Sequence, residues 1–280
     1  MGRQLLVDIG NQRIKWVFLD LWSQPATSRL EWLIEQTMGT ADLAGDGGES
    51  GAFDLLFTEQ PPPQKIFVSS VSDDRVAAAF NQACQQHWGC SATIIKSQTR
   101  SLGLVNGYAD PAQLGVDRWL AALAAFKLST ETSNGYPVIV IDAGTAITVD
   151  LVSQGCFQGG AILPGVTTLI QSLGAETDKI EVDFVGLAQK EVKQNGSRET
   201  RKIEVVAKDS AAAVKAGVMA SAAGGINYCV QQISAELNQA PEILLTGGDA
   251  ALLGPLLNHQ IKTMPNLVIT GLALIAMDNE

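Results

Sequence analysis

The chain has 280 residues, of which 46% are hydrophobic and 17% charged, and its formal net charge is −10. Such a length fills one large domain or two of ordinary size, with ample interior for a core. The acidic balance excludes a non-specific nucleic-acid binder, which needs a basic face; it leaves phosphorylated ligands open, because the field inside a cleft is set by local groups.

The first element follows Met1-Gly2-Arg3 directly. Leu5-Leu6-Val7-Asp8-Ile9-Gly10-Asn11 is an apolar strand that ends in an acid, a glycine and a small polar residue. No signal sequence precedes it, so a cytoplasmic protein is expected. Arg13 to Leu19 then alternates, with Ile14, Trp16 and Phe18 set against Arg13, Lys15 and Val17, which predicts a second strand. Ser23 to Leu33 gives mixed signals. Thr37 to Pro63, with Gly45-Asp46-Gly47-Gly48 and Pro61-Pro62-Pro63, reads as loop or insertion. Ile66 to Val71 is the next strand, and Ser72, Asp73 and Asp74 suit the start of a helix over Arg75 to Trp88. Thr93 to Lys96 is a further short strand. Strands alternating with helices predict an α/β fold.

Four cysteines, Cys84, Cys90, Cys156 and Cys229, have no disulfide spacing and read as reduced thiols. Cys84, His87 and Cys90 would share one helix face, but a structural zinc site takes four ligands and only three are at hand, so packing is the expected role.

Asn106 to Trp119 is punctuated by Pro111 and Gly115 and runs into an alanine-rich helix expected over Trp119 to Leu128. Asp110 or Asp117 can simply decorate that helix start. Alternatively, Asp117 and Arg118 project into a cleft.

Val138 to Leu151 then repeats the opening pattern. The β-branched run Val138 to Ile141 is typical of a strand buried on both faces. It ends in Asp142, Gly144 and Thr145 follow, and Ile147, Val149 and Leu151 alternate with Thr148 and Asp150. A Walker loop or dinucleotide fingerprint would lead into a helix instead. Two such hairpins about half a chain apart predict an internally duplicated fold. Taken alone, an Asp-x-Gly turn is often only structural. Repeated after buried strands, the two acids can face one another across a cleft suited to a metal-bound polyphosphate, with the turns donating N–H groups.

Further on, Gly155, Gly159-Gly160 and Pro164-Gly165 surround Ala161-Ile162-Leu163 and indicate a backbone that closely approaches something. Val166 to Leu173 starts a helix, and Glu191 to Lys202 reads as an exposed loop. Ser210 to Val230 is a long Ala- and Gly-rich helix; the charge-free run from Ala216 to Ala235 carries Ser221, Asn227, Gln231 and Gln232, so it reads as a buried helix rather than a membrane span. Glu242 to Ala250 is strand, Gly247-Gly248 turn and helix, a joint over which a nucleobase or ribose can lie.

Five of these segments, in order, resemble the type III pantothenate kinases of the acetate kinase, sugar kinase and actin superfamily. They are Asp8-Ile9-Gly10-Asn11 through Lys15, Gly115-Val116-Asp117-Arg118, Asp142-Ala143-Gly144-Thr145-Ala146, Gly159 to Gly165, and Leu245-Thr246-Gly247-Gly248-Asp249-Ala250. The resemblance spans Val7 to Ala250. It implies two duplicated ribonuclease H-like (actin-like ATPase) domains, residues 1–114 and 115–280 with a linking helix near 115–130, each a mixed sheet flanked by helices. It also implies a homodimer with the active site near the subunit interface.

The implied activity is transfer of the ATP γ-phosphoryl group to pantothenate, the first step of coenzyme A synthesis. By the resemblance, Asp8, Ile9, Gly10, Asn11, Gln12, Arg13, Ile14 and Lys15 hold the ATP phosphates, Thr145 touches ATP, and Asp8 helps position magnesium, indirectly. Asp142 sits at a monovalent cation, potassium or ammonium. Asp117 is the base for the pantothenate hydroxyl, and Tyr108, Gly115, Val116, Asp117 and Arg118 bind pantothenate. A carboxylate at a helix start is expected to stay ionised and to be a weak base, which a loose phosphoryl-transfer transition state tolerates.

The chain departs from the family pattern at two positions. Gln12 replaces the usual Thr or Ser after Asp-x-Gly-Asn, and Ser210 stands for a substrate-contacting Thr, keeping the hydroxyl. Other readings are another small-molecule phosphotransferase of the superfamily, since fold does not fix substrate, and a non-catalytic accessory protein, because the family includes proteins first described as factors for virulence-gene transcription. Intact Asp8, Asp117 and Asp142 favour the enzyme.

Overall fold

The computed structural model describes residues 3–11, 13–20, 36–39, 61–133, 136–176, 203 and 205–278. The segments expected from Ser23 to Leu33 and from Glu191 to Lys202 fall outside these, as do Gln12 and most of the loop expected from Thr37 to Pro63. Contacts group the chain into two compact units, Met1–Ala124 with Leu267–Glu280, and Ala125–Asn266. The break lies ten residues beyond the boundary expected at 114/115, inside a helix, and the last helix joins the first unit.

In the first unit the predicted hairpin is β1 (Arg3–Ile9) and β2 (Arg13–Asp20), antiparallel. A short β3 (Gln36–Gly39) adds to the edge of β2, where the sequence suggested loop. On the other side β4 (Lys65–Ser70) runs parallel to β1 and β5 (Ala92–Ile94) parallel to β4. Between β4 and β5 lies α1 (Asp74–Trp88). Its N-cap is Asp73, whose Oδ1 accepts the Arg75 N–H at 2.9 Å, and its stop is Gly89 at φ 68°, the left-handed conformation glycine adopts without penalty. Leu5, Val7, Ile9, Ile14 and Trp16 from the hairpin pack with Phe80 and Cys84 of α1. Cys84 is therefore a core residue, and burial pushes its thiol up to about 12.

The hairpin β6 (Arg100–Ser101) and β7 (Leu104–Asn106) leads through a 3₁₀ turn, Pro111–Gln113, into α2 (Val116–Ser133). This helix begins three residues earlier than expected. The reason is Gly115, whose carbonyl accepts the Trp119 N–H at 3.0 Å and so starts the ladder. The final helix α6 (Leu267–Asp278) is apolar on nearly every face and buried from Leu267 to Ala273. A Cβ on its Gly271 would lie 2.1 Å from the Leu120 carbonyl oxygen, so glycine lets α6 lie directly on α2.

The second unit repeats this plan. β8 (Val138–Ala143) and β9 (Ala146–Ser153) form the second predicted hairpin, β10 (Cys156–Pro164) adds antiparallel to β9, β11 (Glu242–Thr246) lies parallel to β8, and β12 (Lys262–Thr263) parallel to β11. The first unit's order is β3-β2-β1-β4-β5, and the corresponding strands here run β10-β9-β8-β11-β12. Three antiparallel strands followed by two parallel ones, twice in the same sequence, is the expected duplication. The glycines in β10 have a local cause: a Cβ at Gly160 would lie 2.2 Å from the Val149 carbonyl oxygen across the pair, next to a register shift at Phe157/Gly159.

Helices α3 (Val166–Glu176), α4 (Ser210–Ala235) and α5 (Ala250–Leu253) complete the unit. Ala222, Ala223, Ile226 and Val230 of α4 pack with Ile139, Ile141, Ile147 and Val149 of the hairpin. Among the described residues no helix is long and apolar enough to cross a membrane.

Candidate active site

Each hairpin brings a short row of polar side chains to one end of its sheet. In the first unit Lys15 on β2, Asp8 on β1 and Ser69 on β4 are register partners. Partners across neighbouring strands share a face, so the lysine and the acid lie side by side. Asp8 is half-buried, and its Oδ1 is closed off from solvent. Gly10 and Asn11 form the tip: the Gly10 N–H donates to the Arg13 carbonyl at 2.9 Å. Ile9 and Ile14 point into the core, so only their backbone is available to a ligand.

In the second unit the matching row is Thr148 on β9, Asp142 on β8 and Thr246 on β11. The Gly144–Thr145 turn after Asp142 is held from the start of α3. There the Gly165 N–H donates to the Thr145 carbonyl at 3.1 Å and the Thr168 hydroxyl donates to the same oxygen at 2.8 Å. Gly165 cannot be larger, since a Cβ would lie 2.1 Å from the Gly144 oxygen. Gly247, at φ +96°, closes over the end of β8, and a Cβ on it would lie 2.5 Å from Asp142 Oδ1 and 2.3 Å from the Ala143 oxygen. Thr168 and Gly247 thus shape the turns without having been singled out individually; the cue for Gly247 was a glycine pair directly after a buried strand.

The third cluster lies around the start of α2. Arg118 is buried, and its guanidinium donates to the Tyr108 hydroxyl at 2.9 Å while standing 5.8 Å from the centre of that ring. Asp117 sits in the first turn of α2, and its Oδ1 accepts the Arg118 N–H at 2.7 Å. Val116 is buried. Sequence reasoning expected the helix start to keep Asp117 ionised and a weak base. The geometry makes it a stronger base than that: burial outweighs the Arg118 N–H and the Arg118 charge and raises the Asp117 pKa. A buried carboxylate is a stronger base than an exposed one. Asp110, by contrast, is exposed and caps the 3₁₀ turn by accepting the Ala112 N–H at 3.0 Å.

Gly115 touches this cluster directly. A Cβ there would come within 2.6 Å of Asp117 Oδ1. The atom displaced is the tip of a short side chain rather than backbone, so Gly115→Ala is expected to fold normally and melt within a few degrees of wild type. Its turnover should fall by roughly tenfold as the carboxylate is turned aside. Parallel melting curves and steady-state rates check this, and a normal rate would show that the carboxylate has room to spare.

Ser210 is the first residue of α4, one position after the N-cap Asp209, whose Oδ1 accepts the Ala212 N–H at 2.8 Å. Because Asp209 does the capping, the exposed Ser210 hydroxyl is spared that duty.

Residues 4–232 match the family model for type III pantothenate kinase. The type III pantothenate kinase of Alkalilimnicola ehrlichii is 31% identical over 280 residues, covering 100% of both chains. Two solved structures share the fold at low identity. One, described as a Baf family transcriptional activator, is from Campylobacter jejuni (TM-score 0.53, 20% identity, 98% of each chain). The other is an inorganic polyphosphate/ATP-glucomannokinase from an Arthrobacter species (TM-score 0.51, 15% identity, 100% of each chain). The fold is thus that of the actin-like ATPases and sugar kinases, and the chain belongs to the type III pantothenate kinase family.

Proposed function

We propose that this kinase phosphorylates pantothenate with ATP by way of Asp117, which accepts the proton of the pantothenate hydroxyl, beside Arg118 and Tyr108, which hold the acceptor. The observation that carries these roles is the cluster itself: a half-buried carboxylate of raised pKa, in contact with the N–H of a buried arginine that is itself tied to a tyrosine hydroxyl. Phosphoryl transfer passes through a loose transition state, so positioning and charge neutralisation supply most of the catalysis. The Asp117 carboxylate aligns the alcohol and takes its proton as the new O–P bond forms. Asn11 and Arg13 offer N–H groups, and Lys15 a cation, to the ATP phosphates, while the Gly10 N–H closes the turn that presents them; Thr145 and the Ser210 hydroxyl contact ATP and pantothenate respectively. What Gln12 contributes lies outside the described residues.

The donor sets suit the expected cations. Asp8 and Asp142 are hard oxygen donors at strand ends, and the Gly247 backbone packs closely against the Asp142 carboxylate. Among the described residues no three His, Cys, Asp or Glu side chains gather to hold a metal. Magnesium is usually held by one or two carboxylates together with substrate phosphates. Bound there, magnesium near Asp8 and potassium or ammonium at Asp142 would offset phosphate charge.

The test is a coupled ATP-consumption assay with pantothenate against a panel of sugars, acetate and glycerol. Pantothenate-specific turnover is expected, and turnover on another acceptor alone would reassign the substrate.

The protein is further proposed to be a cytoplasmic homodimer joined through α4. The outward face of that helix carries Ala213, Gly217, Ser221 and Gly224, then Tyr228 at 64% exposure, and a Cβ at Gly217 or Gly224 would meet nothing within 4 Å. Small residues on one stripe allow two helices to approach closely. Wild type is expected to sediment as a dimer and Gly224→Arg as a monomer of reduced activity. A fully active wild-type monomer at assay concentration would refute the dimer.

A further inference from the structure

The buried polar residue Asn106 has no part in the roles given above, yet it holds the loop that carries Tyr108. It is the last residue of β7, only 6% exposed, and its backbone N–H donates to the Thr99 carbonyl at 2.9 Å. Its side chain uses both ends. Oδ1 accepts the Tyr108 N–H at 3.0 Å and Nδ2 donates to the Pro111 carbonyl at 3.3 Å. The amide therefore spans the loop from the Tyr108 N–H to the Pro111 carbonyl, its two anchors. Among side chains of this length only asparagine offers a donor and an acceptor together; aspartate has no donor, serine is too short to span both, and alanine has neither.

From Tyr108 the connection continues to the acceptor cluster. Its hydroxyl accepts from the Arg118 guanidinium at 2.9 Å, and Arg118 adjoins Asp117. We infer that Asn106 is a positioning residue for the acceptor site, acting through Tyr108 to orient Arg118. Without its amide the loop keeps its ends, fixed by β7 and by the Asp110-capped 3₁₀ turn, but the Tyr108 backbone loses its tether. The hydroxyl then no longer meets the guanidinium in one place. Binding of the acceptor suffers, whereas the ATP turns, carried by other strands, do not.

The inference rests on the proposed pantothenate role of Tyr108 and Arg118, and the experiment separates the two. Steady-state constants for both substrates are measured on wild type, Asn106→Ala, Asn106→Asp, Tyr108→Phe and the double variant Asn106→Ala/Tyr108→Phe, with melting curves for each. In Asn106→Ala the KM for pantothenate should rise about tenfold, the scale of one net hydrogen bond lost, while the KM for ATP stays within about twofold. Asn106→Asp keeps the acceptor for the Tyr108 N–H but sets an oxygen against the Pro111 carbonyl, so its pantothenate KM should also rise while the KM for ATP holds; it carries the test if the alanine variant does not fold.

The double variant should be no worse than the more impaired single variant by more than about twofold, because both changes break one connection. An unchanged pantothenate KM in a folded Asn106 variant, equal rises for both substrates, or full additivity with Tyr108→Phe would each overturn the inference. Wild type that fails to use pantothenate would instead overturn the functional reading beneath it.

Discussion

Asp117→Asn should abolish most turnover and leave the protein at least as stable as wild type. The isosteric amide keeps the shape of the side chain and can still accept the Arg118 N–H, so ATP binding and fold should persist. It cannot take a proton, and loss of a general base costs about a hundredfold or more. The stability effect follows from the direction of the pKa shift. Burial raises the Asp117 pKa above the ordinary 3.8, which means that the folded state holds the proton more tightly than the unfolded chain. Below pH 3.8 both states are protonated and the shift contributes nothing. As pH rises through 3.8 toward the folded value the unfolded chain ionises first and stability is lost, and above the folded value that loss is constant. The amide removes it, so the melting temperature of Asp117→Asn should match or exceed wild type at neutral pH and lose the advantage in acid.

The same shift is expected to set the acid limb of wild-type turnover. Activity should rise with pH through a value raised above the ordinary 3.8, and this limb should be missing from the residual activity of Asp117→Asn. Asp110→Asn is the control, since asparagine can still accept the Ala112 N–H of the exposed cap, and little should change. Near-normal turnover in Asp117→Asn would remove this residue from the mechanism.

Both hairpins were legible because their signal is local. An apolar run ending in Asp, then a glycine, then alternation reports a buried strand, its turn and its partner without any long-range knowledge. The duplication was legible for the same reason, although the matching strand orders could only be seen in three dimensions. β3 and β12 are short edge strands with too few residues to show a period, and β3 sits beside a Gly- and Pro-rich stretch that pointed to loop. α6 is apolar all round, as a helix buried on nearly every side must be, so it shows no amphipathic stripe.

At the site, residue types pointed to Asp117 and Arg118, but the raised pKa of Asp117 depends on how much protein covers it, and neighbours in sequence do not report that. The early start of α2 was hidden because Gly115, a poor helix former, begins the ladder with its carbonyl. Asn106 looks like any turn residue in sequence, and only the two ends of its amide reveal what it holds.

Asp142→Ala should weaken both ATP binding and the response to potassium. The residue lies between Ile141 and Ala143, each 0% exposed, while its own carboxylate lies on the polar face with Thr148 and Thr246 and against the backbone of Gly247. The apolar neighbours fix the strand, so a change at this one side chain should leave the second core in place, and circular dichroism should report a folded protein. A half-buried acid beside a turn that carries Thr145 is suited to a weakly hydrated monovalent cation rather than to a solvated lysine.

Wild-type turnover is therefore expected to require potassium or ammonium and to fall when a bulky organic cation replaces them. In Asp142→Ala turnover should drop by about a hundredfold, the scale of losing one preorganised electrostatic partner, and what remains should be indifferent to potassium. The measurement that does not depend on turnover is ATP binding, titrated with and without potassium. Wild type should bind more tightly with potassium present, and Asp142→Ala should bind equally weakly in both. Asp142→Asn, which keeps one oxygen donor without the charge, should fall between them. Potassium-dependent ATP binding that survives in Asp142→Ala would move the monovalent cation to other residues and leave Asp142 with a purely structural role at the end of β8.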